Sequence, residues 1–174
     1  MKIRQAAVSD VPAIQRLYQE LDTYHADLLP GVFRALTEAA RPDSLVRDWI
    51  EDTDADYLVA EDHGRIIGFL NIRKAAHPRY PMFRPHDFAM IENAVVEKSQ
   101  RGGGIGTQLF NAAVAWARER GLNHIQTTVW SANTRTKDFY YRQGFEPLTE
   151  RLELDLREAK AEPSAAGDAD KPRP

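Results

Sequence analysis

A glycine-rich turn at residues 101–106 holds the residue types that most directly suggest chemistry in this chain. The turn follows a strand-like run at residues 88–96 and precedes a helix-like run at residues 105–120. Glycine lets a backbone approach an anion closely, because it has no Cβ and adopts unusual φ values at little cost. The unpaired N–H groups in the first turn of a helix then point at that anion. The pattern therefore predicts a site for a phosphate group.

Two common phosphate-binding patterns do not match this turn. A P-loop requires Gly-Lys followed by Ser or Thr, whereas Gly106 precedes Thr107 and Gln108. The dinucleotide fingerprint requires a third glycine three residues after its second, where this chain has Thr107 or Leu109. Two interpretations of the turn therefore remain. It is a phosphate site of another kind, or it is a flexible turn with a helix cap.

Periodic apolar residues and turn residues predict the elements that must position this site. Strands are predicted at residues 3–7, 57–60, 66–72, 88–96 and 124–130, with a closing strand or hairpin at 145–156. Helices are predicted from Ser9 or Asp10 to Pro30, and at residues 33–40, 42–51, 105–120 and 134–143. His63-Gly64 is a predicted hairpin turn, and three prolines predict a loop at residues 77–86. This order of strands and helices indicates an α/β or α+β sheet protein.

Composition excludes several classes of function. The chain has no cysteine, which excludes disulfides, thiolate metal sites and cysteine nucleophiles. Its net charge of −3, with both signs interspersed, gives no reason to expect a nucleic-acid partner. No apolar signal segment and no run of about 18 apolar residues are present, so we expect no membrane association and a cytoplasmic location. The histidines lack metal-ligand spacing, so no metal is expected.

The length of 174 residues fits one domain with a complete hydrophobic core. From residue 157 the composition changes to Ala, Glu, Lys, Pro and Asp, which cannot bury an apolar face. We therefore expect a folded domain at residues 1–156 and a disordered tail at residues 157–174.

Two motifs together resemble the GNAT superfamily of acetyl-CoA-dependent N-acetyltransferases. Residues 96–109, with Arg101, Gly104 and Gly106, are similar to the acyl-CoA loop and helix of that family. Downstream, Asn133, Tyr140 and Gly144-Phe145 match the spacing of its C-terminal motif. The resemblance implies a central mixed, mostly antiparallel sheet, flanked by helices and split between the fourth and fifth strands, at residues 88–96 and 124–130.

The resemblance also implies a site for acetyl-CoA as cosubstrate. Backbone N–H groups of the turn would bind the pyrophosphate, and a backbone N–H of Val95 or Val96 would meet the oxyanion. Asn133 would cap the helix that follows it, contact the cofactor, or do both. The residues assigned to the turn are Arg101, Gly102, Gly103, Gly104, Ile105, Gly106 and Thr107.

Two side chains are candidates for proton transfer. The Tyr140 hydroxyl would protonate the leaving thiolate, with Tyr141 as the neighbouring alternative, although a helix turns it about 100° away. Glu92 is the first candidate for the base, since strand alternation places it with Ala94 and Val96 just before the turn. A salt-bridged surface residue is the other interpretation of Glu92. Weaker candidates for the base are His25, His77 and His86.

A small-molecule primary amine is the expected acceptor, and a protein amino group is the alternative. In the family the acceptor lies against two segments, which here are residues 18–33, with Glu20 and Tyr24, and residues 77–88, with Arg79 and Phe83. A non-catalytic CoA sensor and a nucleotide-binding domain are the competing classes. The resemblance also makes a homodimer possible.

Overall fold

In the part of the chain that the structure describes, five strands form one mixed sheet, in the order β1–β2–β3–β4–β5. The computed structural model describes residues 1–36, 41–78, 80–82, 84 and 86–156. The strands are β1 (Lys2–Gln5), β2 (Ala55–Asp62), β3 (Arg65–Ala76), β4 (Asp87–Val96) and β5 (Ile125–Thr127). The α-helices are α1 (Val11–Leu28), α2 (Asp43–Glu51), α3 (Ile105–Glu119) and α4 (Thr134–Arg142). The chain divides into two compact units, Met1–Lys137 and Asp138–Pro174.

The first four strands pair antiparallel, and only β4 and β5 pair in parallel. His63 and Gly64 join β2 to β3 with φ angles of 47° and 77°, the pair of positive values that a type I′ hairpin turn requires. The β4–β5 pairing covers only residues 89–91 and 125–127. Strand β4 continues to Val96 beyond that pairing. The sheet thus has the predicted mixed, mostly antiparallel architecture, and its fourth and fifth strands separate where the sequence predicted a split.

Helices cover both faces of this sheet. On one face, α1 and α2 enclose a core that includes Leu17, Tyr18 and Phe69. Strand alternation turns Asp56 to the other face, where it accepts a hydrogen bond of 3.0 Å from Trp116 on α3. Because both faces are covered, the middle of the sheet is buried, and β2 and β3 have nearly continuous apolar sequences.

Asp10 fixes the start of α1 through contacts that reach the first strand. Both carboxylate oxygens accept hydrogen bonds from the Arg4 guanidinium, at 2.6 and 3.0 Å. The same carboxylate accepts the Ala7 backbone N–H at 2.8 Å. The Asp10 side chain is 11% exposed and that of Arg4 is 30% exposed, so the carboxylate is largely removed from solvent. Its hydrogen bonds from Arg4 hold the pKa of Asp10 below its ordinary value.

Replacing Asp10 with Asn should destabilise the fold by about 1.5–3 kcal/mol at neutral pH, because the Arg4 guanidinium then keeps only one carboxylate partner, Glu61, at 2.6 Å. The pKa of Asp10 is lowered in the folded chain, so its contribution is complete above the ordinary value of 3.8 and disappears as the pH falls through the lowered value. Urea unfolding of Asp10→Asn and the parent chain should therefore converge as the pH falls below 3.8 and through the lowered pKa of Asp10. Asp48→Asn, on the exposed face of α2, is the matched control. A constant difference at every pH would contradict this account.

Several elements differ from their predicted extents. Strand β5 has three residues where seven were predicted. Residues 33–36 are irregular rather than helical, and the rest of that predicted helix, residues 37–40, lies outside the described residues. The predicted tail at residues 157–174 also lies outside them. In the described ranges, no helix combines the length and the apolar character needed to cross a membrane.

The second unit begins within α4 and contains the predicted closing strand. Gly144 has a φ of 90° and ends the helix, and the Phe145 N–H donates to the Tyr140 carbonyl oxygen at 3.1 Å. Residues 145–156 form no strand, although the exposed Leu152, Leu154 and Leu156 alternate as in one. Alternation predicts a strand only when a neighbouring strand supplies hydrogen bonds, and the described residues of this unit, 138–156, include no such strand.

Candidate active site

A β-bulge in β4 sets the direction of the backbone groups at the end of that strand. Ile91 pairs with Ile72 and Asn93 pairs with Asn71, so Glu92 is an extra residue without a partner on β3. Glu92 lies on the exposed side, and its carboxylate accepts a 2.7 Å hydrogen bond from Arg73. The bulge interrupts the strict alternation by which the sequence placed Glu92. The ion pair agrees with the alternative interpretation, and a role as base stays a prediction.

The Val96 backbone faces the edge of β4 at which β5 has ended. The Glu97 N–H donates to the Ile67 carbonyl oxygen on β3 at 2.9 Å. Backbone groups of successive strand residues point to opposite edges, so the N–H and C=O of Val96 point away from β3. The Val96 carbonyl oxygen accordingly accepts a hydrogen bond from Arg101 Nε at 2.8 Å. Of the two predicted oxyanion donors, Val96 therefore has its N–H directed away from β3, and the oxyanion role stays a prediction.

The glycine-rich turn has the backbone that an anion site requires. Gly102 and Gly104 have φ angles of 90° and 78°, in the left-handed region that favours glycine. Gly104 is the N-cap of α3, so the next N–H groups of the helix lack intrahelical acceptors. A Cβ built on either glycine would meet nothing within 4 Å. The turn is thus open above the positive end of a helix of 15 residues, which fits a diphosphate.

Arg101 is held by two protein groups. Besides its bond to Val96, its Nη2 donates to Glu20 Oε1 at 2.9 Å, and the two side chains are 24% and 27% exposed. The same Glu20 oxygen accepts the Lys98 backbone N–H at 2.7 Å. The sequence assigned Glu20 to the acceptor side, but the structure places it against the glycine-rich turn. Nothing local in the sequence indicates this contact, because it joins residues 81 positions apart.

Asn133 caps α4, as one of its two predicted roles requires. Its Oδ1 accepts the Thr136 backbone N–H at 3.2 Å, the N-cap arrangement of a helix. The same oxygen accepts the Tyr24 hydroxyl at 3.1 Å, and Asn133 is 6% exposed. Tyr24, like Glu20, is therefore on the side of the predicted cofactor motifs. Direct contact between Asn133 and the cofactor stays a prediction.

Tyr140 belongs to the second unit, where its ring contacts two neighbours. The ring lies 5.2 Å from that of Phe139 and 5.0 Å from that of Phe145, both edge to face. Tyr140 is 5% exposed, whereas Tyr141 is 47% exposed. The different burial of these adjacent tyrosines agrees with the sequence argument that the helix turns them apart.

The three histidines named as weaker bases occupy two environments. His25 stacks on Phe33 at 5.1 Å, and burial lowers the pKa of its imidazole, so it is neutral at pH 7. The ring centres of His77 and His86 instead lie 4.8 Å apart, and the ring centres of His86 and His124 also lie 4.8 Å apart. No group of three or more His, Asp or Glu side chains in the described part of the chain has the geometry of a metal site. Arg79 and Phe83 of the second acceptor segment lie outside that part.

Comparison with known proteins agrees with this geometry. A high-resolution structure of a tetramutant of the BH1408 protein from Bacillus halodurans has a TM-score of 0.84 at 26% identity, covering 90% of this chain and 100% of that one. The aminoglycoside N-acetyltransferase AAC(6')-Iy in complex with CoA has a TM-score of 0.67 at 19% identity, covering 88% and 97%. This sheet, with its β4–β5 split and glycine-rich turn, is the acetyltransferase fold of GNAT type.

Sequence comparison assigns the family. The model of the Acetyltransferase (GNAT) family matches residues 14–145. The L-methionine sulfoximine/L-methionine sulfone acetyltransferase of Pseudomonas aeruginosa is 30% identical over 152 residues, which are 83% of this chain and 79% of that protein. The chain therefore belongs to the GNAT acetyltransferase family and is an acyltransferase of the N-acetyltransferase class.

Proposed function

We propose that this enzyme transfers an acetyl group from acetyl-CoA to the primary amine of a small molecule, by direct attack in a ternary complex. The observation that carries the proposal is the position of the glycine-rich turn beside the open edge of β4. The turn offers backbone N–H groups to a diphosphate, and the Val96 N–H faces the edge that β5 leaves free. Phosphate recognition and oxyanion stabilisation thus occur within a few residues of one strand end.

Proton transfer is assigned to two residues. Bound acetyl-CoA supplies a thioester carbonyl carbon that accepts the amine. As the C–N bond forms and the C–S bond breaks, the Tyr140 hydroxyl gives its proton to the departing sulfur. Glu92 accepts the proton of the amine, directly or through water, and Arg73 orients its carboxylate at 2.7 Å. Since the chain has no cysteine, the acetyl group does not pass through an enzyme thiol.

The proposed acceptor class is a small molecule. Support comes from the Pseudomonas aeruginosa relative, whose name gives methionine sulfoximine and methionine sulfone as its acceptors. Both are α-amino acids, so amino acids with a polar side chain are the first acceptors to examine. Acetylation of a protein amino group is the alternative.

The test is thiol release from acetyl-CoA across a panel of amines. The panel contains methionine sulfone, other amino acids, polyamines, aminoglycosides and short peptides with free amino groups. We expect strong release with one small-molecule class, and initial-rate lines that intersect when both substrates are varied. Parallel lines would contradict direct attack, and release only with peptides would favour the protein acceptor.

The same samples distinguish the non-catalytic alternatives. Acetyl-CoA binding measured by calorimetry, without amine-dependent release, would favour a sensor over an enzyme. Displacement of CoA by ATP or NAD would instead favour a nucleotide-binding domain without acyl chemistry.

A further inference from the structure

One face of α1 contacts three successive parts of the predicted cofactor site. Arg16, Glu20 and Tyr24 are spaced by four residues, so they lie on the same side of the helix. Arg16 donates to Glu97 at the end of β4 at 3.2 Å. Glu20 binds the segment that leads into the glycine-rich turn, and Tyr24 binds Asn133 at the start of α4.

Glu20 joins both ends of the segment between β4 and the turn. A single carboxylate oxygen accepts the Lys98 N–H at 2.7 Å and the Arg101 guanidinium at 2.9 Å. Arg101 in turn donates to the Val96 carbonyl oxygen. The Arg101 guanidinium therefore links α1 to Val96, the last residue of β4. Arg101 itself directly precedes Gly102, the first glycine of the turn with a positive φ.

Tyr24 continues this chain of contacts to the second motif. The guanidinium carbon of Arg101 lies 5.9 Å from the centre of the Tyr24 ring, within cation–π distance. The Tyr24 hydroxyl donates to Asn133 Oδ1 at 3.1 Å, the oxygen that also caps α4. One turn of α1 thus connects the turn before α3 with the first turn of α4.

We propose that Glu20 and Tyr24 are positioning residues that hold the glycine-rich turn and the start of α4 in the arrangement that binds acetyl-CoA. Arg101 then acts mainly through the shape of the turn, since two of its donor nitrogens are directed at protein oxygens. This inference rests on the proposed use of acetyl-CoA. It adds two residues of α1, outside both sequence motifs, to the machinery of the cofactor site.

Two hypotheses predict opposite changes in the Kd for CoA when Glu20 is replaced. If Arg101 bound the diphosphate as a simple cation, removing the Glu20 charge would strengthen CoA binding or leave it unchanged. If Glu20 positions the turn, its loss lowers the fraction of molecules with a competent turn, and the apparent Kd rises in proportion. The sign of the change therefore decides between the two roles.

The experiment is calorimetric titration of the full chain with CoA, for Glu20→Ala, Glu20→Gln, Tyr24→Phe and Arg101→Lys. We expect Kd to rise roughly tenfold for Glu20→Ala and less for Glu20→Gln and Tyr24→Phe. Arg101→Lys keeps the charge but cannot bind two partners as a fork, so it should resemble Glu20→Ala. Asp27→Asn removes one charge from an exposed position of the same helix and should leave Kd unchanged.

Amide hydrogen exchange without ligand tests the positioning directly. In Glu20→Ala, residues 97–104 should exchange faster, whereas the buried strand β2 should keep its protection. In turnover assays the KM for acetyl-CoA should rise while kcat stays within about twofold, which a general loss of folding would not produce. An unchanged or lower Kd in Glu20→Ala, or unchanged exchange at residues 97–104, would overturn the proposal.

The two levels of failure are distinguishable. If the parent chain binds no CoA at all, the proposed cosubstrate is wrong, and this inference falls with it. If the parent chain binds CoA and Glu20→Ala binds it equally well, only the role assigned to α1 is wrong.

Discussion

Tyr140→Phe should lower kcat by about two to three orders of magnitude and leave the affinity for acetyl-CoA within about twofold. The substitution removes one hydroxyl and keeps the ring that contacts Phe139 and Phe145. Without a proton donor, the sulfur must leave as a free thiolate. Because the ring and its contacts are retained, binding of acetyl-CoA should change little. Thiol release under saturating acetyl-CoA measures kcat, and calorimetry measures the affinity.

Tyr141→Phe is the control, since it removes the same hydroxyl from the adjacent, 47% exposed side chain. We expect it to keep at least half of the parent kcat. Unchanged turnover in Tyr140→Phe would remove Tyr140 from the acid role. A parallel loss of affinity and thermal stability would show instead that the hydroxyl serves packing.

Gly104→Val should weaken acetyl-CoA binding by at least about thirtyfold. A left-handed φ of 78° at Gly104 is costly for a β-branched residue. The space around this glycine is otherwise empty of protein atoms within 4 Å, so the new side chain would project into the region assigned to the diphosphate. Titration with acetyl-CoA, and with CoA alone, gives the affinity.

Two matched variants separate strain from ligand contact. Gly121→Val places the same side chain at a φ of 69° beyond the other end of α3, so it should cost similar stability and leave affinity unchanged. Gly103→Ala, whose Cβ would lie 3.7 Å from the Gln100 carbonyl oxygen, should change Kd by less than about threefold. Parent-like affinity in Gly104→Val would refute the phosphate-site assignment.

The sequence predicted the glycine-rich turn and the hairpin turn well, because a positive φ is a local requirement that glycine reveals. Gly104 and Gly64 both stand at such positions. Helix α3 was also predicted closely, since its apolar residues face one sheet and its period is regular. The capping role of Asn133 follows from the same local logic.

Features that depend on distant partners could not be predicted in this way. Glu20 was placed on the acceptor side because it lies in the segment 18–33, which borders the acceptor in the family, and only the folded chain brings it to Arg101. The segment at residues 145–156 has a strand pattern, but it has no partner strand among the described residues of its unit. Strand β5 is shorter than its β-branched sequence suggested, because its pairing with β4 ends at Ile91.

Glu92, which has no partner on β3, changes which residues of β4 direct their backbone groups towards β5. Before Glu92, the backbone groups of odd-numbered residues point towards β5. The Ala89 N–H donates to the His124 carbonyl oxygen, and the Ile91 carbonyl oxygen accepts from the Thr127 hydroxyl. After Glu92, the backbone groups of even-numbered residues point to that edge of β4, as the Val96 carbonyl oxygen does where it accepts from Arg101. Deleting Glu92 would turn the Val96 N–H towards β3, where it would join the hydrogen bonds between the two strands. The insertion thus decides which backbone amides near the end of β4 point away from β3, whatever side chain occupies position 92.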